Sequence, residues 1–358
     1  MQTVQTSRQY PAVDAAKLIC AVLIVAIHVP PFGKDAASPL AAAGNFFFRF
    51  YLGRIAVPFF FLTAGFFLFR KTASGNFSFE PCRQYILRIL RIYVLWTVLY
   101  LPWIIREARE SGKNLLTGLL SFLRNFLLTG SYSHLWYLPA LAVAAALVGW
   151  LLRKGLRPGY ILAASALLYC IGLLGQGWFF LLRPLQGTAL YSLLRLYEKI
   201  FTTTRNGLFF GFFYVAAGMY LAYRPSGLSR PASGAGFLAS MLLLYLEIRF
   251  TRSQAEAPGS DMYLFLAPAA YCALVFLMQP SLKSRPCYPA MRPLSLLLYL
   301  SHLAINKSVS QPICLRLGSL GSKGFQFWLT VLLSLGLSLA IVRLSRLRHL
   351  GWLKKLYK

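Results

Sequence analysis

Acidic side chains are scarce in this chain. Nine Asp and Glu stand against 37 Lys and Arg in 358 residues, and charged residues of both signs reach only 13%. Hydrophobic residues make up 58%, with a mean hydropathy of +0.59. A water-soluble domain has nowhere to bury that much apolar surface, so that class is excluded. Cysteine usage excludes two more classes. Cys20, Cys82, Cys170, Cys272, Cys287 and Cys314 form no CxxC pair and have no metal-like spacing. Neither a disulfide frame nor a metal site follows. There is no Walker motif, no GxSxG and no GxGxxG after a strand, so the nucleotide-binding and esterase signatures are missing. The net charge of +28 does not point to nucleic acid. The cations sit mostly at the ends of apolar runs, where they meet lipid headgroups and fix topology, so the expected partner is the bilayer.

Apolar runs bounded by Gly, Pro and charge give ten candidate helices: 14–31, 46–69, 84–105, 134–152, 158–175, 205–223, 234–250, 261–279, 294–314 and 325–345. The expected fold is all-α, a polytopic transmembrane bundle of about ten spans forming one domain over 1–358. The first run, followed by Ala41-Ala42-Ala43, imitates a signal peptide, but a Pro-Pro turn and many further spans come after it. Residues 177–196 read as a re-entrant or interfacial piece, or as part of another span. Residues 113–128 read as a helix on the surface or packed over the bundle. No soluble domain is expected beside the bundle, and the basic tail 346–358 reads as a membrane-surface anchor.

With ten spans both termini share a side. That side collects Arg8, Arg70, Lys71, Arg83, Arg88, Arg91, Arg153, Lys154, Arg157, Arg224, Arg230, Lys283, Arg285, Arg292 and the basic tail. The other holds most of the acids: Asp35, Glu107, Glu110, Glu198, Glu256 and Asp261, with Glu247 at a span's end. The positive-inside rule then gives N-in and C-in.

The first helix carries a polar stripe. Lys17 and His28 are eleven residues apart, close to three turns, so both lie on one face roughly 16 Å apart along the axis. Asp14 lies near that face, and it is too far from His28 to orient the imidazole. It is expected to pair with Lys17 or with an arginine at the mouth. An intramembrane imidazole is expensive and usually functional. Neutral His28 can take a proton from a hydroxyl or thiol, as general-base acyl transfer requires. Lys17, at the cytoplasmic end, can hold a phosphate or simply snorkel.

Other candidates carry two readings each. Arg88 and Arg91 share a helix face and suit phosphate, or serve as the positive-inside cluster of their span. Arg54 binds an anionic acceptor or anchors its helix, and Pro58 and Gly65 after it kink that helix or allow close packing. His134 meets an acceptor or, with Trp136 and Tyr137, belongs to the aromatic belt. Tyr299 and His302 line a pocket or bond within the core. His349 is expected to face headgroups.

Taken together these pieces resemble the acyltransferase-3 family of integral membrane acyltransferases. Its first span reads Asp, a short gap, Arg, ten residues, His, matched here by Asp14, Lys17 and His28. The run from Arg54 to Phe67 matches its second-span pattern, Arg88 and Arg91 its RxxR, His134-Leu135-Trp136-Tyr137 its aromatic fourth-span entry, and Tyr299-Leu300-Ser301-His302 its late Tyr-x-x-His. The matches run in order from about residue 10 to 345.

The resemblance implies a plasma-membrane enzyme with acyl-CoA, acetyl-CoA foremost, entering from the cytoplasm. Lys17, Arg88 and Arg91 would hold its phosphates. His28 would be general base or acyl relay, and the acceptor would be a hydroxyl of an extracytoplasmic glycan or lipid-linked sugar. No metal is implied. Lys17 is a departure, because Lys replaces the family's Arg and loses the bidentate fork. The run Arg205-Asn206-Gly207-Leu208-Phe209-Phe210-Gly211 and the Arg54–Phe67 region are similar to the membrane domain of the vancomycin-resistance serine racemases, which is linked to serine uptake. That branch keeps a small-solute transporter as the alternative function.

Overall fold

The computed structural model describes residues 9–33, 38–70, 72–73, 77–112, 114–254, 259, 261–279, 282–283 and 285–358. Arg8, Asp35, Lys71, Lys113 and Glu256, counted above, lie outside the described residues. Among the described residues all regular structure is helical, with no strand. The α-helices are α1 (Pro11–His28), α2 (Pro39–Asn45), α3 (Ala56–Phe69), α4 (Glu80–Glu110), α5 (Leu115–Arg124), α6 (Tyr137–Arg153) and α7 (Pro158–Leu174). They continue with α8 (Ala189–Phe201), α9 (Phe212–Tyr223), α10 (Arg230–Ser253), α11 (Leu266–Met278), α12 (Cys287–Ile305), α13 (Gln311–Arg316) and α14 (Lys323–Leu344).

Sequence punctuation explains the boundaries. α1 starts on Pro11, whose fixed φ suits the first helical position. It stops at His28 because Val29 precedes Pro30 and is driven out of the α region, to φ −122 and ψ 75. Ser38, Asn114, Ser229 and Ser322 cap α2, α5, α10 and α14 by accepting from backbone N–H groups of the first turn.

The second apolar run is not one continuous helix. Between α2 and α3 the chain takes a π turn over Phe46–Tyr51 and a 3-10 turn over Leu52–Ile55. This broken stretch carries Arg49 and Arg54, and breaks of this kind are frequent at functional sites.

Among the described residues, five helical stretches are long and apolar enough to cross a bilayer: Pro11–His28, Pro39–Phe69, Glu80–Glu110, Arg230–Ser253 and Lys323–Leu344. A sixth is counted if α7 and the 3-10 segment Phe179–Leu185, bent by 79°, form one span. The ambiguous 177–196 stretch thus holds that 3-10 segment and the first turns of α8. Helices such as Tyr137–Arg153, with 17 residues, rise only about 25 Å, short of the ~30 Å hydrocarbon core. Among the described residues, length and composition alone thus give five or six candidate spans, fewer than the ten expected, with shorter apolar helices beside them.

α1 packs on α12, α3 on α9, α10 on α11, and α12 on α14. The α3–α9 contact is a backbone contact. A Cβ at Gly65 would overlap the Val215 carbonyl, and one at Gly218 would overlap the Leu62 carbonyl. Small residues let the two helices touch this closely. Of the two readings of Gly65, close packing is the one realised.

Candidate functional site

The stripe on α1 is the axis of the site. At its start Asp14, only 2% exposed, accepts from Arg292 Nε at Oδ1 and from Nη2 at Oδ2, both at 2.8 Å. The expected partner, Lys17 or an arginine, is thus an arginine supplied by α12. Lys17 lies instead with its ammonium 4.6 Å from the Phe67 ring centre.

A cavity of about 1200 Å³ opens at this end, lined by Lys17, Arg88, Arg91 and Arg292. Arg346, Lys354, Tyr357 and Lys358 also line it. These come from the tail, which folds back as a 3-10 segment, Arg348–Leu356. Trp96 of α4 donates its indole N–H to the Leu356 carbonyl at 3.0 Å, and the Ser345 and Tyr357 hydroxyls lie 2.8 Å apart. The tail is therefore part of the cavity wall as well as a basic surface. His349 is exposed and takes no part.

A second cavity, of about 350 Å³, lies at the other end of the stripe. His28, Arg49, Arg54, His134, Trp136, Arg205 and Asp261 line it. Both cavities have Ile24, Val57, Tyr137 and Tyr299 in their walls. The two spaces therefore meet at those four side chains.

Three imidazoles from three distant parts of the chain converge here. The His28 ring lies 5.4 Å from that of His302 and 6.3 Å from that of His134, and the latter two lie 5.0 Å apart. His134 and His302 are buried, whereas His28 keeps partial exposure. Each buried ring is fixed by a carbonyl: His302 Nδ1 by Tyr299 at 2.7 Å and His134 Nε2 by Leu300 at 3.2 Å. A carbonyl only accepts, so those nitrogens carry the protons in the neutral rings. His302 Nε2 and His134 Nδ1 are then lone-pair nitrogens, and both are buried without a hydrogen-bond partner. Tyr299 adds a hydroxyl donating to the His134 carbonyl. Among the described residues no three His, Cys, Asp or Glu side chains are placed to hold a metal ion.

The other wall is ionic. Asp261 pairs with Arg54 through Oδ1 and with Arg205 Nη1 through Oδ2, the latter at 2.7 Å. The Arg205 guanidinium lies 4.6 Å from the Trp136 ring centre.

The profile of an acyltransferase domain, that of the acyltransferase-3 family, matches residues 10–344. The chain belongs to that family. Its membership and its apolar helices make it a multi-pass membrane protein of an acyltransferase family. Among curated proteins it is similar to a serine/alanine racemase of Enterococcus gallinarum, 32% identical over 301 residues, 81% of this chain and 40% of that protein. An amino-acid racemase of Enterococcus faecalis is 28% identical over 279 residues, 76% of this chain and 36% of the relative. A further amino-acid racemase of that organism is 29% identical over 351 residues, 93% of this chain and 46% of the relative. The chain thus spans less than half the length of each. No solved structure matches it significantly.

Lys17, His28, Arg54, Arg88, Arg91, His134, Trp136 and Tyr299, all named from sequence in this acyltransferase-3 chain, border one cavity or the other, whereas Asp14 and His302 border neither. Asp14 sits behind Lys17 on Arg292, and His302 sits behind His28. Sequence reasoning missed Arg292, Arg205, Asp261 and the tail cations as site residues. Asn206 was the available signal for Arg205: its side chain caps the following turn, accepting from Leu208 and Phe209 N–H at 3.0 and 3.1 Å, and so holds the arginine at a helix entrance.

Proposed function

We propose that the chain is a membrane-bound O-acyltransferase moving an acyl group, acetyl foremost, from cytoplasmic acyl-CoA to a hydroxyl across the membrane. The acceptor is an extracytoplasmic cell-envelope glycan or lipid-linked sugar. The protein sits in the plasma membrane with about ten helical passes and both termini inside. The observation that carries this reading is the pair of cavities meeting along α1, one ringed by cations and the other by imidazoles. A phosphate-rich donor suits the first, and proton transfer suits the second.

In this scheme Lys17, Arg88 and Arg91 hold the donor phosphates, with Arg346, Lys354 and Lys358 adding charge at the mouth. The pantetheine arm runs along α1 and brings the thioester past Tyr299 to His28. His28 takes the proton of the acceptor hydroxyl as its oxygen attacks the thioester carbon. The C–O bond forms, the C–S bond breaks, and the proton passes from His28 to the departing thiolate.

Acyl-CoA binding to the purified chain tests the donor half. Radiolabelled acetyl-CoA is expected to bind, and Arg88→Ala with Arg91→Ala to weaken it by about tenfold or more. Undiminished binding in that double variant would remove the arginines from the donor site.

The same meeting of cavities also suits a small-solute path, and the relative named serine/alanine racemase directs attention to serine. Uptake of labelled serine into proteoliposomes without any acyl-CoA would favour that second reading.

A further inference from the structure

The His28 cavity carries an unbalanced charge. Among the described residues lining it are three guanidiniums, Arg49, Arg54 and Arg205, and one carboxylate, Asp261. The carboxylate is already divided between two of them, one oxygen to each. Neither arginine is held by its full fork. Arg54 Nε and Arg205 Nε are both buried without a hydrogen-bond partner, and the Arg54 side chain is only 10% exposed. Buried cations in excess are costly unless an anion joins them, and unused N–H groups add to the cost. The Arg205 guanidinium also lies over the Trp136 ring, 4.6 Å from its centre, a contact that helps to hold a guanidinium in place for a carboxylate or phosphate.

We infer that the acceptor carries its own anionic group, a carboxylate or a phosphate, and that Arg49, Arg54 and Arg205 bind it beside His28. The inference rests on the acyltransferase reading for the word acceptor; the anion site itself does not need it. Asp261 is then a positioning residue that spaces Arg54 and Arg205 and keeps the empty cavity from carrying three bare cations. The cavity volume, about 350 Å³, lies in the range for small-molecule sites. One sugar ring or a comparably small acceptor fits it, with its anion on the arginines and its hydroxyl toward His28. A neutral sugar would leave the excess positive charge of the three guanidiniums over Asp261 unbalanced.

The test uses the purified full chain in neutral detergent at fixed ionic strength. Thermal stabilisation is titrated with glucuronate against glucose, for a carboxylate, and with glucose 6-phosphate against glucose, for a phosphate. A ligand that binds only the folded protein raises its midpoint. The charged member of at least one pair is expected to stabilise and glucose not, and the pair that responds identifies the anion. Arg205→Gln is expected to weaken the response about tenfold or more. Because that change also disturbs Asp261, Arg49→Gln is run beside it, leaving both ion pairs in place, and is expected to weaken the response too. Equal responses to charged and neutral members, or an anion response that survives both substitutions, would overturn the inference. Labelled acetyl-CoA is then supplied with the same compounds. Anion binding without acyl transfer would uphold the site and sink the transferase reading. Transfer to glucose as readily as to the charged sugars would do the reverse.

Discussion

His302 donates from Nδ1 to the Tyr299 carbonyl at 2.7 Å, within its own helix. That bond leaves Nε2 as a lone pair, buried and unpartnered, on a ring 5.4 Å from His28. A carboxylate is the usual orienter of a catalytic imidazole. Here the neighbours of His28 are two imidazoles with fixed tautomers. If His28 takes the acceptor's proton as proposed, His302 would act as a positioning residue beside it. His302→Phe should lower kcat roughly tenfold to a hundredfold with little change in KM for acyl-CoA, and should shift the pH dependence of kcat. An unchanged pH profile would reduce His302 to a packing role.

The folded-back tail gives a second prediction. Lys354→Gln combined with Lys358→Gln should raise KM for acyl-CoA by about twofold to fivefold, and less at high salt, because both cations are exposed and screened. Membrane attachment should be intact. A tail that only anchors to headgroups would leave KM for the donor unaltered.

Asp14 and Arg292 join the first helix to the twelfth. Asp14 is buried, but the Arg292 side chain is 50% exposed, so the coupling should be modest. A double-mutant cycle of thermal unfolding with Asp14→Asn and Arg292→Gln should give about 1 kcal/mol. Additive effects would show that the bidentate contact contributes nothing to stability.

The elements of the site differ in how far the sequence exposes them. The Asp14–Lys17–His28 stripe is readable because a single helix fixes its own periodicity, and Pro11 and Pro30 bracket that helix. Arg292 on Asp14 and Arg205 on Asp261 are separated by 278 and 56 residues, and no local pattern announces which cation will meet which carboxylate. The π turn at Phe46–Tyr51 is hidden for a different reason: a run of aromatic residues satisfies helical hydrophobicity whether or not the turn is widened. The span count is not legible either, because apolar composition does not fix length, and several apolar helices, such as Leu266–Met278, are short. No local pattern announces the neighbours of His28, because the convergence of His134 and His302 on it depends on packing alone.

Glu247 offers a test of the fold away from the site. Its carboxylate accepts from the Trp178 indole at 2.6 Å and from the Leu264 and Phe265 amides at 2.6 and 2.9 Å. It thereby closes the turn from α10 into α11. Glu247 is buried while its three donors are only partly so; Glu247→Ala removes their shared acceptor and should cost about 1–3 kcal/mol of stability, measured by denaturation in detergent. A loss below about 0.5 kcal/mol would mean that water replaces the carboxylate at no cost.

The most direct measurement of the central proposal is acyl transfer in membranes. Membranes carrying wild type or His28→Ala are given radiolabelled acetyl-CoA, and label on cell-envelope glycan is followed. His28→Ala should lose transfer by a factor on the order of 10²–10⁴ while acetyl-CoA binding is retained. Equal labelling by the two proteins would contradict the assignment of His28 as the group that takes the acceptor's proton.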